Sequence, residues 1–151
     1  MPYLIALIFG LMAAFGALLG ALLYTSFTVS TASLAQGAQA FTPTLFNLFV
    51  LAGIEELSKI IFFLRSTYFL KTPYQAFSFA LCFGIGFTSL EYFAASFLEL
   101  PIGASIFGVL AIHIMSSLLM VFLLKSHSDK KQILLTLTLL TLLHFGYNAS
   151  L

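Results

Sequence analysis

The sequence predicts an all-α integral membrane protein, a polytopic bundle of about five transmembrane helices with an intramembrane polar site, folded as one transmembrane domain over residues 1–151. Three observations predict it. Of the 151 residues, 61% are hydrophobic and only 7% are charged, against about 25% charged in soluble domains. The apolar residues gather into five stretches close to the ~20 residues that one crossing of a bilayer needs. Glu55 and Glu56 stand side by side in the second stretch, with Lys59 one helical turn on. A carboxylate at the bilayer centre costs roughly 2.5–3.5 kcal/mol on insertion scales, so polar groups at that depth pair with one another or line a wet cavity.

The five predicted spans are Tyr3–Tyr24, Thr44–Leu64, Tyr74–Phe97, Pro101–Leu124 and Gln132–Asn148. In the first, Gly16 and Gly20 with Gly10, Ala13, Ala14, Ala17 and Ala21 form a face of small residues, which lets neighbouring helices approach closely. This stretch reads as a span and not as a signal peptide, because no Lys or Arg precedes it and its apolar run is too long for an h-region. Thr25–Thr42 is uncharged and rich in Ser, Thr, Ala and Gln, and is expected to be an external connection, in part helical or lying at the interface. Thr42-Pro43, Thr72-Pro73 and Pro101 place proline at or near the first turns of the second, third and fourth spans, where its missing N–H is not needed. Ser128 or Asp129 can cap the fifth.

Basic residues set an expected orientation. Arg65 and Lys71 follow the second span, and Lys125, Lys130 and Lys131 follow the fourth; the other two connections hold no Lys or Arg. The positive-inside rule then puts the N-terminus in the cytoplasm and the C-terminus outside. A net charge of +1 points away from nucleic acid. The expected partners are membrane lipid and a membrane-protein or peptide substrate. Cys82 is the single cysteine, which excludes an internal disulfide and a cysteine metal cluster.

The candidate site residues are Glu55, Glu56, Lys59, Glu91, His113, His144 and Asn148. At a rise of ~1.5 Å per residue, Glu55 and Glu56 fall about 16–18 Å below the outer end of the second span. His113 falls about 18 Å below the outer end of the fourth, and His144 about 18 Å above the inner end of the fifth. Glu91 lies about 25 Å above the inner end of the third, so four helices bring polar groups to one band. Lys59 is spaced i,i+4 from Glu55 and i,i+3 from Glu56 and can reach either. The two glutamates point about 100° apart, so one can face a cavity while the other pairs. Phe87 shares a face with Glu91, and Asn148 with His144, which it can orient. Ser89, Ser116 and Ser117 are read as packed or back-bonded hydroxyls, and Glu99, His127 and Asp129 as solvated surface.

The chemistry these residues suit is hydrolysis. A carboxylate in a low-dielectric site can act as general base toward water. Imidazoles can polarise a carbonyl or bind a metal that does so, and two His with one Glu make a workable zinc shell with an open position. Spacing alone leaves the metal and metal-free versions open. Two other classes compete: a catalytically inactive scaffold that binds partner helices, and a small proton-coupled transporter. The latter lacks the inverted repeat and paired broken helices common to such folds.

Four motifs occur in order. Glu55-Glu56-Leu57-Ser58-Lys59 reads EExxK; Phe87-Thr88-Ser89-Leu90-Glu91 reads FxxxE, after Gly84 and Gly86; His113 stands in the next helix; His144-Phe145-Gly146-Tyr147-Asn148 reads HxxxN. From Asn47 to Asn148 this order resembles the PrsW family of intramembrane proteases, within the wider CPBP or ABI group that includes the CAAX prenyl-protein processing proteases. The CAAX branch has EExxxR and FxxxH, so Lys59 and Glu91 place the resemblance nearer PrsW. The resemblance implies an intramembrane endopeptidase in a prokaryotic cytoplasmic membrane, of the kind associated with site-1-type clipping of an anti-sigma factor. It implies that Glu55 and Glu56 activate water. It further implies that Glu91, His113 and His144 complete the site, as ligands of a divalent metal such as zinc or as an oxyanion-stabilising set, with Asn148 closing the last motif.

Overall fold

The structure, a computed structural model, describes residues 2–36, 44–66, 72–97, 106–124 and 129–150. Five helices form in chain order: α1 (Pro2–Gln36), α2 (Leu45–Ser66), α3 (Pro73–Phe97), α4 (Ile106–Leu123) and α5 (Lys130–Asn148). Among the described residues there is no strand.

The helix starts follow local chemistry. The Thr44 hydroxyl accepts from the backbone N–H of Asn47 at 3.2 Å, and that of Thr72 from Gln75 at 3.2 Å. Asp129 accepts from the N–H of Gln132 at 2.7 Å, so of the two residues able to cap α5 this one does. Each cap satisfies an N–H that has no partner inside its helix. Thr42, Pro43, Lys71, Glu99, Pro101, Lys125, His127 and Ser128, named above, lie outside the described residues.

The first helix runs past Tyr24, well into the stretch expected to be a connection. The hydroxyls of Thr25 and Thr28 bond back to the carbonyls of Ala21 and Tyr24 at 2.9 and 3.1 Å, so the polar side chains are accommodated within the helix. The Tyr24 hydroxyl donates to Asn47 Oδ1 at 2.7 Å, tying this part of α1 to the start of α2.

The helices close a ring: α1 packs on α2 and α3, α3 on α4, α4 on α5, and α5 on α2, with a light contact between α2 and α4 across the middle. The approach of α1 to α3 depends on glycine. A Cβ on Gly10 would collide with the backbone of Phe83, and one on Gly86 with the backbone of Leu7, so the two chains meet main chain to main chain. On its α2 side, Gly16 lies against Ser58, whose hydroxyl donates to the carbonyl of Ala13 at 2.7 Å. The small-residue face of α1 thus packs on two helices at once. Between α2 and α3, Phe63, Phe79 and Phe83 form an aromatic layer with ring centroids 5.9–6.4 Å apart.

Three helices are long and apolar enough to cross a membrane: Tyr3–Thr28, Tyr74–Phe97 and Ile106–Leu123. The other two are those that carry the most chemistry. Glu55, Glu56 and Lys59 interrupt α2, and Gln132, His144 and Asn148 with three threonines dilute α5. The distribution of polarity is inverted relative to a soluble bundle. Leu23, Phe97, Phe107 and Phe122 point outward and are more than 70% exposed, whereas Glu56, Lys59 and His113 are fully buried.

Candidate active site

Mid-helix on α2, the 100° step between neighbouring residues sends Glu55 and Glu56 to different surroundings. Glu56 turns into the ring and is completely buried. Its Oε1 accepts from Lys59 Nζ at 2.6 Å and lies 2.8 Å from Nδ1 of His144 on α5. Lys59 therefore takes the i,i+3 carboxylate rather than the i,i+4 one. Its Nζ also lies 2.8 Å from Nδ1 of His113 and 3.2 Å from the Ser116 hydroxyl, both on α4. Phe87 of α3 closes the remaining side, its ring centroid 4.5 Å from Nζ and 4.6 Å from the ring of His113. A cation over an aromatic face and three polar partners compensate a charge withdrawn from solvent.

The cluster extends from both ends of this ion pair. His113 Nε2 meets Oε2 of Glu91 on α3 at 2.5 Å. His144 Nε2 stands 3.4 Å from Oε2 of Glu55, and the two imidazoles sit edge to face with centroids 5.3 Å apart. A continuous chain of polar contacts thus runs Glu91–His113–Lys59–Glu56–His144–Glu55, drawing on α2, α3, α4 and α5.

Both ends of that chain open on one cavity. A space of about 40 Å³ is lined by Ala14, Ala17, Leu18 and Ala21 of α1 with Glu55, Phe87 and Glu91. About 10–15 Å³ suffices for one water, so the cavity has room for one or more. The side chain of Glu55 is 22% exposed and that of Glu91 36%, against none for Glu56. Oε2 of Glu55 and Oε2 of Glu56 are each buried without a hydrogen-bond partner among the described residues. Such an atom is costly unless something polar meets it.

Both ring nitrogens of His144 face the glutamates, and no hydrogen bond joins it to the half-buried Asn148 among the described residues. The glutamates thus orient this imidazole. Ser116 and Ser117 bond back to the carbonyl of His113 at 3.1 and 2.7 Å, and Ser89 to that of Ile85 at 2.8 Å. Ser116 has a second part as a partner of Lys59, which its place one turn after His113 signals. The alanines of α1 that wall the cavity are indistinguishable in sequence from packing residues.

Glu55, His113 and His144 offer ligand atoms within 4.8 Å of one another, whereas Glu91 is engaged with His113. A metal held by this set needs an unprotonated nitrogen from each imidazole. His144 bonds Glu56 through Nδ1, which leaves Nε2, beside Glu55, as the nitrogen it could offer. His113 is bound at both nitrogens, to Lys59 and to Glu91, and does not fit as a ligand in this arrangement.

Comparison of the chain with protein-family models, with curated proteins and with solved structures finds no match.

Proposed function

We propose that this protein is an intramembrane endopeptidase in which Glu55 acts as general base on a water held in the cavity between Glu55 and Glu91. In this reading all five helices cross the membrane, in the PrsW-like arrangement that the four motifs suggest, with the N-terminus in the cytoplasm. α2 and α5 are tolerated because their polar side chains face the ring interior and pair with one another. The outward display of Leu and Phe around a charged interior supports this placement.

The observation that carries the reading is the division of labour between two adjacent carboxylates. Glu56 is fully buried and held by Lys59 and His144, while Glu55 is partly exposed and lines the cavity. Glu55 takes a proton from water as the water oxygen attacks the scissile carbonyl. The same proton then passes to the nitrogen of the leaving amine as the C–N bond breaks, and the carboxylate is regenerated. Low dielectric around the cavity strengthens each of these interactions. An apolar groove lined by Leu11, Phe15, Leu19, Phe62 and Leu90 on the same bundle suits a substrate delivered from within the bilayer.

The test is cleavage of membrane-protein substrates by membranes containing the parent chain or Glu55→Gln at equal amounts. The reading expects products only from the parent. Undiminished cleavage by Glu55→Gln would remove Glu55 from the mechanism.

A further inference from the structure

We propose that Lys59 is a positioning residue that fixes the tautomer of His113, holding it as the Nε2–H form that donates to Glu91. This role rests on the endopeptidase reading only for its purpose.

An ammonium has three N–H donors and no acceptor. Among the described residues Lys59 Nζ has three polar neighbours: Glu56 Oε1 at 2.6 Å, His113 Nδ1 at 2.8 Å and the Ser116 hydroxyl at 3.2 Å. The Ser116 hydroxyl donates to the carbonyl of His113 at 3.1 Å, so toward Lys59 it accepts. The carboxylate also accepts, which leaves one N–H for Nδ1 of His113. That nitrogen must then carry its lone pair toward Lys59, and the ring proton resides on Nε2. There it is met by Glu91 Oε2.

His144 differs. Its Nδ1 is 2.8 Å from the Glu56 carboxylate, which can only accept, so Nδ1 carries a proton, while Nε2 stands 3.4 Å from Oε2 of Glu55. One lysine–glutamate pair therefore holds two imidazoles by the same nitrogen in opposite roles, Nδ1 accepting at His113 and donating at His144. His113 Nε2 becomes a donor that anchors Glu91 at the cavity. A donor at His113 Nε2 cannot at the same time ligate a metal, so the same lysine turns the Glu55–His113–His144 grouping away from zinc.

The experiment is nitrogen-15 NMR of the full chain, labelled at histidine, in detergent micelles or nanodiscs. Protonated and unprotonated ring nitrogens are separated by their shifts. The parent is expected to show His113 protonated at Nε2 and His144 at Nδ1, both unchanged by equimolar Zn²⁺. Lys59→Arg, which keeps a donor, and Ser116→Ala, which keeps the lysine, are expected to preserve the His113 tautomer. Lys59→Met is expected to lose it. A parent spectrum with His113 protonated at Nδ1, a parent His113 that binds Zn²⁺ through Nε2, or an unchanged tautomer in Lys59→Met would each overturn the proposal. If Lys59→Met does not accumulate, the parent and Ser116→Ala spectra decide. Because tautomers are read without turnover, loss of the proposed peptidase activity and failure of this inference are separately visible.

Discussion

Lys59 and Glu56, three residues apart on α2, meet at 2.6 Å with neither side chain exposed. Every other member of the polar cluster hangs from this pair, directly or through one imidazole. Removing one partner strands a buried charge, which costs about 3–5 kcal/mol. Glu56→Leu and Lys59→Met are each expected to be destabilised on that order. Glu56→Leu combined with Lys59→Met is expected to lose less than the two single changes summed, because no charge is left unpaired. Unfolding in detergent, followed for all four proteins, checks this; strict additivity would show that the pair is not coupled.

Adjacent glutamates should fail differently when neutralised. Glu55→Gln keeps the shape of a side chain that lines the cavity and stands 3.4 Å from His144, so its unfolding profile should stay close to the parent's. Its cleavage rate should fall about 10²–10⁴-fold, the usual contribution of a general base. Glu56→Gln weakens the bonds to both Lys59 and His144, so stability should fall along with activity. Equal behaviour of the two variants in both assays would contradict the assigned roles.

The cavity wall offers a test that leaves every polar side chain in place. Ala17 is buried and borders the space shared by Glu55 and Glu91. Ala17→Leu should fill it and exclude water at a cost of about 1–3 kcal/mol for overpacking. Folded protein with no cleavage is the expected result; full activity in this variant would place the reacting water elsewhere.

Two glycines predict opposite signs. Gly10→Val drives a side chain into the backbone of Phe83 and should separate α1 from α3, with marked loss of stability. Gly146 lies inside the last motif, yet a Cβ there meets nothing within 4 Å. Gly146→Ala should stabilise α5 by about 0.5–1 kcal/mol and leave the cluster intact. Thermal unfolding of the two variants decides both.

Much of this arrangement is legible in the chain. Hydropathy alone marks five helices, and spacing along α2 already shows that Glu55 and Glu56 diverge and that Lys59 reaches back to them. What spacing leaves open is how neighbouring helices are rotated. Lys59 is within reach of both glutamates along its own helix, and it is His113 and Ser116 on α4 that draw it to Glu56. The link from Glu91 to His113 joins residues 22 apart in sequence on two helices, and no local pattern encodes it. The partial helicity expected after Tyr24 is borne out by the extension of α1, where the hydroxyls of Thr25 and Thr28 are satisfied within the helix itself; how far it runs is not written in the Ser and Thr composition. Ala14, Ala17 and Ala21 read as a packing face, and the bundle makes part of that face a cavity wall.

The most direct test of the central claim compares cells expressing the parent chain with cells expressing Glu55→Gln at equal membrane levels. Quantitative proteomics would score newly formed termini in membrane proteins, with candidate substrates co-expressed. Termini that appear with the parent and vanish with Glu55→Gln are the predicted result, and they would name the substrate as well. Identical termini in both samples, with both proteins folded, would contradict a peptidase that depends on Glu55.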